Sequence, residues 1–167
     1  LVLLGSWYSI VKSLTAHRRV ALLCAALIAA DYSVPISCTN VRADAMTAAL
    51  GCASLAFYLR FRERNLSHAV LAGAALAAAA VLTHPLGLIW VLALAAVGLC
   101  LDFRRFRAVH LPLSLAPFLA GAAGWGLYIL RAPSVFAAQF SANAGYRAAA
   151  LASPFATLAA EITQRYL

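Results

Sequence analysis

Three ionisable side chains stand inside or beside long apolar runs: Asp31, and the Arg42 and Asp44 that precede and open the third run. A charged group within a hydrocarbon phase costs roughly 3 kcal/mol or more, so such residues pair, line a cavity or act on a ligand. Their types suit phosphate-ester chemistry. A planar guanidinium such as Arg42 grips phosphate in bidentate fashion, and a carboxylate such as Asp44 positions a hydroxyl or a divalent metal ion. His84, followed by Pro85, is the third candidate, as a metal ligand, a donor to phosphate or a plain polar turn. Structural roles compete at each position. Asp31 can be a carboxylate hydrogen-bonded to a neighbouring helix, and Asp44 can simply favour a helix N-terminus in a solvated loop. Asn40, Gln139, Asn143 and Arg147 add hydrogen-bonding groups, as loops do whatever their function.

The elements that must position these residues are hydrophobic helices. The chain has 167 residues, 65% of them hydrophobic and 11% charged, where a soluble domain carries about 25% charged residues. Mean hydropathy is +0.88. Apolar runs cover Leu1–Val11, Val20–Ser37, Ala45–Leu59, Ala69–Thr83, Leu86–Leu101 and Leu111–Leu130. A spanning helix needs about 20 apolar residues, so the first run is partial. The expected fold is all-α: a polytopic transmembrane bundle of about six helices. Pro85 separates the fourth and fifth runs, which together would be too long for one span. Each is short for a full crossing, which puts His84 at a recessed turn.

Nine of the 13 basic residues fall in three alternate loops: Lys12/Arg18/Arg19, Arg60/Arg62/Arg64 and Arg104/Arg105/Arg107. The positive-inside rule makes that side cytoplasmic and gives the arginines a topogenic role. The loops holding Arg42, Asp44 and His84, and everything after Arg131, then face outward. The net charge of +8 is thereby explained by topology, and no basic face interleaved with aromatics suggests a nucleic-acid partner. Cys24, Cys38, Cys52 and Cys100 lack the paired spacing of zinc or redox motifs and read as packing residues. Residues 1–131 form the transmembrane bundle and 132–167 an extracytoplasmic segment. Within the latter, Ser153 caps a helix with Pro154 at its first position, and Phe155, Leu158, Ile162 and Tyr166 recur at helical spacing. Glu161 and Arg165 form an i, i+4 pair on another side. This reads as an interfacial amphipathic helix laid over the outer end. The chain opens at Leu1 inside an apolar run without Met and stops at Leu167 within a helical pattern, which predicts a fragment of a longer protein.

The stretch from Tyr32 to Leu94, YSVPISCTNVRADAMTAALG through LTHPLGLIWVLAL, resembles the mid-region of bacterial GT-C glycosyltransferases, the dolichyl-phosphate-mannose protein mannosyltransferase-like group. The resemblance rests on Tyr32-Ser33, on Arg42-x-Asp44 at an outer helix boundary, and on a small-residue helix starting near Leu71-Ala72-Gly73 and ending at His84-Pro85. It extends over about residues 20 to 130. It implies transfer of a hexose or pentose from a polyprenyl-phosphate carrier to a lipid, glycan or protein acceptor on the outer face of a bacterial plasma membrane. Arg42 then contacts phosphate, His84 contacts the donor phosphate, and Asp44 positions the acceptor or a divalent metal. In this family the principal catalytic carboxylate lies in the first outer loop, N-terminal to every residue here. No residue of this chain is therefore assigned as general base, and the fragment alone is expected to be inactive.

Two other classes fit the same hydropathy. A transporter or permease would use Asp31 and Asp44 as ion sites and would carry an internal repeat, which the two halves do not show. A non-catalytic membrane scaffold would leave its outer polar residues scattered. A transferase predicts that Arg42, Asp44 and His84 gather at the end opposite Arg60 and Arg104.

Overall fold

In the computed structural model the described residues are 1–31 and 43–151, with Phe155, Ala156, Ala159 and Thr163 beyond them. Among them are seven α-helices and no strand: α1 Val2–Thr15, α2 Arg18–Ala30, α3 Ala43–Phe61, α4 Leu66–Thr83, α5 Gly87–Asp102, α6 His110–Ile129 and α7 Pro133–Leu151. A short 3-10 turn, Phe103–Arg105, extends α5. Three helical stretches are long and apolar enough to cross a membrane: Leu66–Thr83, Gly87–Arg105 and His110–Ile129. This is the all-helical, multi-pass pattern that the hydropathy predicts.

The centre of the bundle is the antiparallel pair α3 and α4. Both are built from small residues where they meet, which lets the backbones approach closely without a hydrophobic driving force between them. Thr47, Gly51, Ser54 and Tyr58 recur at helical spacing on the buried side of α3, and Val70, Gly73, Ala74 and Ala77 on that of α4. The Ser54 hydroxyl donates to the Gly73 carbonyl at 2.7 Å, fully buried. Ser54→Ala should destabilise the bundle by only about 0.6 kcal/mol, the average for interhelical hydrogen bonds in membranes. A loss above about 2 kcal/mol in reversible unfolding from micelles would show that the pair depends on this bond rather than on close packing.

Helix α5 runs parallel to α3, with the Trp90 ring lying against Gly51 and Gly98 close to the Tyr58 hydroxyl. Any side chain at Gly51 would collide with the indole. On α1, Leu3, Trp7 and Ile10 pack against Cys52, Ala56 and Leu59 of α3. Asn65 caps α4, accepting from the His68 N–H at 3.0 Å, which satisfies one of the unpaired donors of the first turn. At its start α6 is tied to α4 by His110 and Ser67, and further along Gly121 faces Leu82. Between α4, α5 and α6 is a crevice of about 460 Å³.

One expectation is corrected. Helix α2 ends at Ala30, and Asp31 is its extended C-cap rather than a residue within the helix; the rest of the second apolar run, residues 32–37, lies outside the described residues. Helices α1 and α2, of 14 and 13 residues, are both shorter than a spanning helix. The region after Arg131, read from the sequence only as an extracytoplasmic segment with a helix from Ser153, opens with a further helix, because α7 runs unbroken for 19 residues. Its polar residues bond back to their own helix: Ser141 Oγ to the Ala138 carbonyl and Asn143 Nδ2 to the Gln139 carbonyl, both at 3.0 Å. The chain divides into two compact units, 1–122 and 123–167. In the second, Phe136 sits edge-on to Trp125 and stacks on Phe140. The amphipathic stretch from Phe155 to Tyr166 lies mostly outside the described residues.

Candidate functional site

Asp44 lies in the first turn of α3, where the helix dipole favours a carboxylate. His84 follows the last turn of α4 in an extended conformation, as the residue before a proline must. The turn is closed by Gly87 N–H donating to the His84 carbonyl at 2.8 Å and Leu88 N–H to that of Pro85 at 3.1 Å. The imidazole is oriented as well: the Leu86 N–H donates to Nδ1 at 3.2 Å, so the ring proton resides on Nε2. That nitrogen is 3.6 Å from Asp44 Oδ1, within reach of an electrostatic contact but longer than a hydrogen bond. The two side chains are 24% and 41% exposed for His84 and Asp44 respectively and face each other.

The sequence-predicted pair thus meets across two helices, at the end opposite the arginines. Arg42 lies outside the described residues, as do Asn40 and the Tyr32-Ser33 element. Thr47, one turn deeper than Asp44 on α3, is 2% exposed, and its hydroxyl has no hydrogen-bond partner among the described residues. Chemically the arrangement offers a carboxylate and an imidazole N–H at one boundary, suited to orienting a hydroxyl and neutralising an anionic oxygen. As metal donors they are two, and among the described residues no group of three His, Cys, Asp or Glu gathers.

At the other end sits a second polar cluster, whose centre the sequence reading missed. Asp102, with a fully buried side chain, accepts from the Tyr58 hydroxyl and from Arg62 at 2.8 Å each on Oδ2, and from Arg105 at 2.8 Å on Oδ1. Glu63 bridges the same two arginines, 2.7 Å from Arg62 and 3.0 Å from Arg105. Arg105 also donates to the Arg62 carbonyl at 3.0 Å. The hydrogen bond to Asp102 raises the pKa of Arg62 above its ordinary value. Every oxygen of Asp102 is committed and shielded, so the cluster serves as a lock between the α3–α4 and α5–α6 loops rather than as a site. Arg62 is therefore not a merely topogenic, solvated charge as its sequence context suggests. Its only sequence signal was an acidic residue, Asp102, placed directly before an arginine cluster. His110 was missed too: buried, its Nδ1 accepts from the Arg107 N–H at 2.9 Å, leaving Nε2 to donate to Ser67 at 3.2 Å.

No protein-family model matches this chain, and no curated protein or solved structure does so either.

Proposed function

We propose that this chain is part of an integral membrane glycosyltransferase that transfers a sugar from a polyprenyl-phosphate carrier to a lipid, glycan or protein acceptor at the end of the bundle bearing Asp44 and His84. The observation that carries the reading is the approach of those two residues, 40 positions apart in sequence, to 3.6 Å at one boundary. The arginine loops make the opposite end cytoplasmic under the positive-inside rule, so the transferase end faces the periplasm of a bacterial plasma membrane. A polyprenyl carrier keeps its chain in lipid and presents phosphate at the interface, where Arg42 and His84 neutralise the departing anion. Asp44 orients the acceptor hydroxyl, with a divalent metal as its other candidate partner, and the general base comes from the outer loop that the family carries upstream.

The test is sugar transfer from polyprenyl-phosphate hexose or pentose donors in membranes containing the full-length protein. Arg42→Lys and His84→Ala should each lower the rate about a hundredfold, the scale for losing one preorganised donor to a developing anion. Arg64→Lys is the control, since Arg64 is exposed at the other end and makes no side-chain ion pair among the described residues. Arg62 is unsuitable because of its bond to Asp102. Equal rates for Arg42→Lys, His84→Ala and Arg64→Lys would remove the site from this end.

A further inference from the structure

The crevice between α4, α5 and α6 lies within the first compact unit, and its walls are almost wholly apolar: Val70 of α4, Leu94 and Ala95 of α5, Leu111, Leu115 and Phe118 of α6. Gly98 thins the α5 wall, where a side chain would press on Phe106 and the Tyr58 hydroxyl. Leu111 and Leu115 remain 65% and 48% exposed, and none of the described residues of the unit fills the space between them and α5. One end of the crevice is different. Arg107 and His110 line it there, and the Arg107 backbone is pinned by its N–H donating to the buried His110 ring. The Arg107 guanidinium has no carboxylate partner among the described residues, because Asp102 and Glu63 are both engaged by Arg62 and Arg105. That end of the bundle carries six arginines from positions 60 to 107 against those two carboxylates.

From this combination we infer that the crevice holds one acyl chain of an anionic glycerophospholipid of the arginine-side leaflet, with the headgroup phosphate on Arg107. The inference stands apart from the transferase reading, which concerns the other end. The dimensions suit a single chain: from Leu111 to Phe118 the α6 wall is about 10 Å long. The crevice has about 460 Å³. Charge favours an anionic headgroup, since an arginine without a carboxylate partner among the described residues attracts net negative charge at the depth where the apolar walls end.

The full-length protein, reconstituted in bilayers of phosphatidylcholine with one quarter phosphatidylglycerol and released for native mass spectrometry, should retain one phosphatidylglycerol. Ala95→Trp, at an exposed lining position, should fill the crevice and abolish that retained lipid without changing oligomeric state. Arg107→Ala should lower the preference for phosphatidylglycerol about fivefold, the worth of one interfacial arginine, whereas Arg64→Ala should leave the retained lipid in place. Three results would overturn the inference. They are retention unchanged in Ala95→Trp, retention without headgroup preference in the parent protein, or Ala95→Trp altering oligomeric state or thermal stability instead, as when another helix or a second copy occupies the crevice.

Discussion

Replacing Asp102 with alanine should destabilise the bundle by about 3–5 kcal/mol, the cost of removing one partner from a buried ion pair. The reason is the charge left behind. Asp102 is the shared acceptor for Tyr58, Arg62 and Arg105, and its side chain is wholly shielded, so its loss strands two guanidinium groups and a hydroxyl beside an apolar helix end. Glu63, 65% exposed, can retain part of the arginine charge but cannot reach inward to Tyr58 without leaving solvent. Tyr58→Phe, by contrast, removes a single neutral donor and should cost about 1 kcal/mol. The two changes should not add: once Asp102 is gone, the Tyr58 hydroxyl is itself an unsatisfied buried group, and removing it should be neutral or stabilising. Reversible unfolding of the four cycle members in micelles measures this. Strict additivity would mean that the hydroxyl and the carboxylate do not interact.

Gly87→Val should be nearly as damaging, at about 3 kcal/mol, through steric overlap rather than electrostatics. A Cβ at this position would collide with the Ala80 carbonyl and the Val81 nitrogen. These are backbone atoms of α4, and no rotamer change can clear them. The α4–α5 hairpin must open, and with it the turn that holds His84 toward Asp44. The expected readouts are a lowered unfolding midpoint and, on the proposed function, a loss of sugar transfer. Gly124→Ala in α6 is the control, because a Cβ there meets nothing within 4 Å and alanine favours the helix by up to about 1 kcal/mol. If Gly87→Val unfolds no more easily than Gly124→Ala, the close approach of α4 and α5 at this turn is wrong.

Much of this architecture is legible in the sequence, because apolar length and charged breaks are local signals. The breaks at Arg62–Asn65 and at His84-Pro85 bound α3, α4 and α5 where the runs predict, and the alternation of arginine loops places Asp44 and His84 together at the end opposite Arg60 and Arg104. What stayed hidden depends on distance in the chain or on competing local bonds. Nothing periodic connects Tyr58 and Arg62 to Asp102, and an aspartate next to arginines reads as solvated until helices α3 and α5 are known to run side by side. Helix α7 was obscured because Ser141 and Asn143 look like turn formers, although each can bond to a carbonyl of its own helix. Gly98 has no local signature of the space it leaves, since its consequence depends on Phe106 and Tyr58.

The lock around Asp102 also sets an order of events during biogenesis. Tyr58 precedes its acceptor by 44 residues and Arg62 by 40, with all of α4 and α5 made in between. At about 5–20 residues per second, the ribosome takes roughly 2–9 s to deliver Asp102 after Tyr58 has been polymerised. Through that interval the α3–α4 hairpin must hold without the lock, by small-residue contact, the Ser54 to Gly73 bond and the edge contacts of His68 with Phe57 and Phe61. Insertion of α5 is thus the step at which a nascent hairpin becomes committed, and a ribosome stalled before residue 102 would display an arginine-rich loop still without its buried counter-charge.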